Sequence, residues 1–191
     1  MIINLDGGAK GNKKRGLTKE GENLVKKLVD KSITIDLSHS NEKTFYDICN
    51  ICLKLKQKGC KPKVIASHSN VKKICNHQRN LTDEQIKKIK ELGGTIGVVG
   101  VKIFCDEKEN MQDKYYKQKY IEHIKYIKNL LGSVKNIGVS SDDMTYYETQ
   151  YYEKFNVFKQ EKMGKELKEL LLKEKFTEEE ISTIMNGEFW K

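Results

Sequence analysis

Two histidines, an arginine and an aspartate carry the chemistry this sequence offers. His39 follows the short apolar run Ile33-Thr34-Ile35-Asp36-Leu37, and His68 follows Val64-Ile65-Ala66, each as the second residue of a Ser-His pair. Asp142 follows Ile137-Gly138-Val139 through Ser140 and Ser141. Neutral imidazole nitrogens and a carboxylate are donors suited to a divalent metal such as zinc. A single histidine at the end of a strand serves as readily as a structural hydrogen-bonder. Two in successive units, each as Ser-His, bring metal binding level with that reading, and the pattern alone leaves both open. Arg79 stands out by composition, because among 36 Lys and Arg residues only Arg15 and Arg79 are arginines. Where lysine supplies charge everywhere else, an arginine points to the planar fork that grips a carboxylate with two hydrogen bonds. An ordinary surface arginine is the competing reading.

These residues are placed by an alternation of strands and helices. Thr18 to Lys31 reads as a helix capped by Thr18, with Leu24, Val25, Leu28 and Val29 as its apolar stripe. The run Ile33 to Leu37 reads as a strand and Glu42 to Lys58 as a helix. Val64 to Ala66 is a second strand. Thr82-Asp83-Glu84-Gln85 opens a third helix that Gly93-Gly94 stops. Thr95 to Ile103 reads as a strand, Lys114 to Leu131 as a long helix and Ile137 to Val139 as a fourth strand. Met163 to Lys173 and Thr177 to Met185 complete the chain as helices. Short apolar strands alternating with helices predict a parallel sheet buried on both faces. No strand is followed by a glycine-rich phosphate loop, so dinucleotide binding lacks its main signal. Residues 1–191 read as one domain with a loop-like start over residues 1–15.

Composition narrows the function classes. The chain has 191 residues, 37% hydrophobic and 33% charged, which suffices for a core and argues against wholesale disorder. The formal net charge of +9 is almost all lysine, alternating with glutamate along stretches such as Glu161 to Lys175, as on a solvated helix face. A nucleic-acid binder more often clusters arginine among aromatics, so no nucleic-acid partner is expected. The Tyr-rich stretch from Tyr146 to Tyr152 reads as loop packing rather than as a stacking platform. No apolar run reaches about 18 residues, so no spanning helix and no membrane partner are expected. Met1 to Lys14 lacks a secretory pattern. An odd cysteine count (Cys49, Cys52, Cys60, Cys75 and Cys105) disfavours a disulfide framework, and a reducing, cytoplasmic setting is expected. Cys49 and Cys52 form a C-x-x-C pair within a helical stretch, with no second pair to complete a zinc site, and read as core.

Three segments make the sequence recognisable: Ile35-Asp36-Leu37-Ser38-His39, Val64-Ile65-Ala66-Ser67-His68-Ser69-Asn70, and Arg79-Asn80-Leu81-Thr82-Asp83-Glu84-Gln85. Together they closely resemble the membrane (renal) dipeptidase family. The likeness extends to Gly16-Leu17-Thr18-Lys19-Glu20-Gly21, to Gly93-Gly94-Thr95-Ile96-Gly97, to the helix containing His123, and to Ile137 through Asp142. Met185-Asn186-Gly187-Glu188-Phe189-Trp190 is similar to the family's terminal segment. The resemblance implies a zinc-dependent dipeptidase on a (β/α)8 TIM barrel, a fold of about 250 residues. It implies that His39 and His68 are ligands of one zinc of a pair and that Arg79 grips the substrate's terminal carboxylate. Asp142 then serves the substrate amino group and the proton of an activated water. Two divalent ions about 3.5–4 Å apart suit that chemistry.

The departures set further expectations. The family's first metal ligands come from an N-terminal His-x-Asp motif and a later bridging Glu. The residues before Gly16 contain neither His nor Glu, only Asp6. The chain is therefore expected to be an incomplete, C-terminal part of the barrel, holding one zinc or none. It would need an N-terminal partner chain or a homo-oligomer to complete a site for a dipeptide; a catalytically inactive fragment or binding module is the alternative. The family's continuation after the late aspartate is replaced by Asp143-Met144-Thr145, and a second helix histidine is replaced near Tyr126. His77 is expected to be a plain loop residue.

Overall fold

A computed structural model of the chain describes residues 15–142 and 155–186. Its centre is a sheet of parallel strands, β1 (Ile35–Asp36), β2 (Val64–Ala66), β3 (Thr95–Val99) and β4 (Ile137–Ser140), hydrogen-bonded in the order β1-β2-β3-β4. Register pairs Asp36 with Ile65, Ile65 with Thr95, and Ile96 with Ile137. Neighbours in space are thus neighbours in sequence. A doubly wound sheet reverses direction part-way, whereas a β/α barrel adds each strand beside the last.

Helices supply the crossovers. They are α1 (Lys19–Asp30), α2 (Glu42–Gln57), α3 (Asp83–Leu92), the short α4 (Lys102–Cys105) and α5 (Asp113–Leu131). After β4 come a 3-10 turn (Gln160–Lys162), α6 (Met163–Lys173) and α7 (Glu178–Met185). α1 packs on α2, α2 on α3 and α3 on α5, so the helical layer follows the strand order, while α7 closes against β4. This is the layering of a (β/α)8 barrel, and the described residues supply a four-stranded part of one.

The local chemistry explains the boundaries. The Thr18 hydroxyl accepts the Gly21 N–H at 3.1 Å, capping α1. Thr82 and Gln85 form a reciprocal capping box at the start of α3, and Thr177 and Glu180 do the same for α7. Gly93 ends α3 with φ of +79°, a left-handed conformation that glycine adopts without steric cost. Gly94 is needed for another reason: a Cβ there would lie 2.5 Å from the Val64 carbonyl oxygen on β2.

The core lies between sheet and helices. Val25, Leu28 and Val29 of α1, Phe45, Ile48, Cys49 and Cys52 of α2, Ile86 and Ile89 of α3, and Tyr120, Ile124 and Ile127 of α5 are all buried. Cys49 and Cys52 are core residues with free thiols, which burial pushes up to about 12 and about 11. Along β1 and β2 the side chains alternate: Ile35, Leu37, Val64 and Ala66 are buried, while Asp36 and Ile65 are half-buried on the other face.

Two strands are shorter than the sequence suggests. The run Ile33 to Leu37 yields only Ile35–Asp36 as ladder, because among the described strands β1 pairs only with the three-residue β2. The stretch Thr95 to Ile103 stops at Val99. The β2 ladder reaches Ile96; beyond it the buried Asn70 side chain accepts the Val99 N–H at 2.8 Å and donates to its carbonyl at 3.0 Å. Val101 then bridges to Asn156, and Lys102 begins α4. The Tyr-rich stretch, Asp143-Met144-Thr145 and Gly187 to Trp190 lie outside the described residues.

Candidate functional site

His39, His68, Arg79 and Asp142 come to the same end of the sheet, beyond the carboxyl ends of β1, β2 and β4. The rings of His39 and His68 meet edge to face with centroids 4.9 Å apart. The Arg79 guanidinium donates through Nη1 to His39 Nδ1 at 2.9 Å. Asp142 reaches the other three through space: its charge favours the protonated forms of both imidazoles and of Arg79. His39 and Asp142 have φ of +69° and +46°. That region is uncommon for residues with a Cβ, and His and Asp enter it more readily than most.

Arg79 is delivered by a pinched loop between β2 and α3. Leu81 N–H donates to Asn70 O at 2.8 Å, and Lys72 N–H to Leu81 O at 2.8 Å, closing the loop's neck. Asn80, itself buried, donates to Cys75 O at 2.9 Å and to Phe104 O at 2.8 Å. Phe104 lies against both the His77 ring, 4.6 Å away, and the Arg79 guanidinium, 5.4 Å from the ring centre. His77 is therefore more than a plain loop residue. It is half-buried, and its Nδ1 accepts the Arg79 N–H at 3.2 Å.

Burial sets the electrostatics. It holds His39 down at about 4, assisted by the positive charge of Arg79 and by His68 and opposed by Asp142 and Asp36. Burial also lowers His68 and Arg79, again against Asp142 and Asp36. Both imidazoles are thereby kept neutral, the form that ligates metal.

Three buried polar atoms at this site lack a hydrogen-bond partner among the described residues: His68 Nε2, Arg79 Nε and Arg79 Nη2. Buried polar groups are nearly always satisfied, so each of these calls for a ligand. The orphan Nε2 fits a zinc ion as a neutral nitrogen donor. His39 is differently poised. Its Nδ1 accepts from Arg79, which puts the ring proton on Nε2, so Arg79 must release it before it can donate a lone pair. Among the described residues no cluster of three or more His, Cys, Asp or Glu could hold a metal. The two imidazoles by themselves are fewer than the three protein ligands usual even for catalytic zinc.

The sequence reading missed Asp36 and Ser67 as parts of this site. Asp36 Oδ1 accepts the backbone N–H groups of Ser38 and Ser67, each at 3.0 Å. Its Oδ2 accepts the Ser67 hydroxyl, and Ser67 Oγ lies 2.6 Å from His68 Nδ1. The signal was an acidic residue within an apolar strand two residues before the first Ser-His pair. His123 stays apart: Nδ1 accepts the Val71 N–H at 3.1 Å and Nε2 faces Cys105 O at 3.0 Å, which occupies both nitrogens in the core. Tyr126 donates to the Asp83 carboxylate at 2.9 Å, in the helical layer.

A succession of parallel β/α units that brings two histidines, a carboxylate and a loop arginine to one end of the sheet has the layout of a β/α-barrel site. The sequence matches the membrane dipeptidase family, peptidase family M19, over residues 4–191, and the chain belongs to that family. It is 31% identical over 127 residues to an uncharacterized protein in the pqqA 5' region of Klebsiella pneumoniae, covering 66% of this chain and 44% of that one. It is 29% identical over 129 residues to dipeptidase aclJ of Aspergillus oryzae, covering 66% of this chain and 28% of the relative. The chain thus spans less than half the length of these relatives. The fold is similar to the crystal structure of a metallo peptidase from Rhodobacter sphaeroides liganded with a phosphinate mimic of the dipeptide L-Ala-D-Ala. That match has a TM-score of 0.71 and 23% identity, covering 94% of this chain and 46% of that one. No helix among the described residues is long and apolar enough to cross a membrane.

Proposed function

We propose that the chain contributes the carboxylate-binding and second-metal half of a zinc dipeptidase site. The observation that carries this is the convergence of orphan donors. His68 Nε2 and the Arg79 Nε and Nη2 are buried at the same end of the sheet and have no partner among the described residues. A lone pair seeks a cation, and the guanidinium N–H groups seek an anion. A dipeptide with its terminal carboxylate on Arg79 answers the second need, and zinc held by His68 and His39 answers the first. When bound, zinc supplies Lewis-acid polarisation of a carbonyl and an activated water. Arg79 orients the substrate through a bidentate grip on its carboxylate. Asp142, close enough to bias all three neighbours electrostatically, accepts a proton during attack and returns it to the leaving amine. Further ligands come from an N-terminal partner chain, from a second copy or from additional sequence of the same protein.

The test is zinc content per chain and dipeptide hydrolysis measured on one sample, with His39→Ala, His68→Ala and Arg79→Ala alongside. The proposal expects zinc to be lost with either histidine and dipeptide binding to be lost with Arg79. Zinc retained in both histidine variants would sink it. One observation favours a second reading, a binding module without catalysis: the described residues supply no cluster of three metal ligands. Dipeptide binding through Arg79 with no zinc and no hydrolysis would support that reading.

A further inference from the structure

We propose that Asp36 and Ser67 form a relay that sets the tautomer of His68 and so makes Nε2 its metal-ligating atom. The inference rests on the assignment of His68 as a ligand. Its core is a proton count. The Ser67 hydroxyl has one proton and two neighbours, Asp36 Oδ2 and His68 Nδ1. An ionised carboxylate only accepts, so the hydroxyl proton goes to Asp36. Ser67 Oγ must then accept from His68, and Nδ1 carries the ring hydrogen. Nε2 is left with its lone pair, the buried atom that has no partner among the described residues.

The relay is held rigidly. Asp36 Oδ1 takes the N–H groups of Ser38 and Ser67, which ties the end of β1 to the end of β2. The backbone N–H of His68 donates to Ser38 Oγ at 3.1 Å, and Ser38 Oγ lies 3.2 Å from Ser69 Oγ. Asp36 sits on the face of β1 away from the helices and pairs in register with Ile65, two residues before Ser67. Carboxylates that orient a metal-binding histidine act in this way, fixing ring orientation and raising ligand basicity. Here a serine is interposed. Asp36 and Ser67 are therefore positioning residues, acting on the site only through His68.

The geometry separates the two histidines. His68 is pre-set with a free lone pair, whereas His39 has its Nδ1 engaged by Arg79. The relay would thus leave His68, unlike His39, with a lone pair available to hold a metal ion.

The experiment is long-range proton–nitrogen correlation NMR on the folded, metal-free, 15N-labelled chain, read at the His68 ring, together with zinc affinity by chelator competition. Wild type is expected to show the proton on Nδ1. Asp36→Asn keeps an oxygen for the two backbone N–H groups but turns the Oδ2 position into a donor. The Ser67 hydroxyl must then donate to Nδ1, and the ring proton moves to Nε2. Zinc affinity should fall by about 10–100-fold. Ser67→Ala should lose affinity similarly, and Ser67→Thr, which keeps the hydroxyl, should restore both the tautomer and the affinity. Because the tautomer is read without metal, the relay stands or falls by itself. An Nδ1 proton retained in Asp36→Asn, or zinc affinity unchanged in both Asp36→Asn and Ser67→Ala, overturns it. Zinc affinity unchanged in His68→Ala overturns the ligand assignment instead.

Discussion

Replacing Arg79 by Met tests the idea that this side chain is held for a ligand at the expense of the fold. Arg79 Nε and Nη2 are buried without partners among the described residues. Each unsatisfied donor costs about 1–3 kcal/mol, so removing both releases about 2–6 kcal/mol. Against this stand the loss of the Nη1 bond to His39 and of the cation–π contact with Phe104. The first is worth about 1.5–3 kcal/mol and the second about 0.5–2 kcal/mol. Met keeps much of the apolar stem. At mid-range the balance favours Arg79→Met by about 0.5 kcal/mol, a rise of about 1–2 °C in Tm for a domain of this size. An arginine held by an internal carboxylate would behave oppositely, because its removal strands a buried charge at a cost of about 3–5 kcal/mol. The assay is thermal unfolding of both proteins by circular dichroism, with and without excess dipeptide. Saturation to a hundredfold over Kd should stabilise the wild type by about 2.7 kcal/mol and leave the variant unmoved. A fall of about 5 °C or more on substitution, or equal stabilisation of both proteins by the dipeptide, would refute the reasoning.

Three further predictions follow from the packing. Burial, aided by Lys119 and opposed by the Cys105 carbonyl and Asp106, holds His123 at about 4, below its ordinary 6.5. The unfolded chain therefore binds that proton first on acidification. The resulting stability is full above about pH 6.5, and about 3 kcal/mol of it is lost as pH falls to about 4; denaturant titrations across this range should show a shallower slope in His123→Gln. Gly94→Ala should destabilise by well over 1 kcal/mol, since its Cβ would meet the Val64 carbonyl at 2.5 Å, whereas at Gly93 nothing lies within 4 Å. Gly93→Ala then suffers only the left-handed backbone cost of about 1 kcal/mol, and urea midpoints of the two variants distinguish these mechanisms. Thr82→Ala removes the α3 capping box and should cost about 1 kcal/mol in the same assay.

Much of the scaffold was determined locally and could be read from the chain. Thr18, Thr82 and Thr177 cap helices through bonds spanning three residues, and Gly93 ends one through its own backbone freedom. The alternation of short apolar strands with amphipathic helices encoded a parallel sheet, because strand and helix periodicities lie in contiguous residues. The composition singled out Arg79 for the same reason: it departs from its lysine-rich surroundings.

What tertiary structure decided was every contact between distant residues, and with it the state of each site atom. At Val99 a side chain takes the place of a strand partner, since Asn70, 29 residues earlier, occupies both of its backbone groups. His77 looked like surface and instead braces Arg79 through Phe104. Asp36 looked like a strand residue with a polar side chain, yet it reaches Ser67 across 31 residues. Arg79 engages His39 across 40 residues. Sequence names which side chains stand at the strand ends. It cannot assign a shared proton, because hydrogen-bond direction depends on which donors and acceptors the fold brings within about 3 Å of one another.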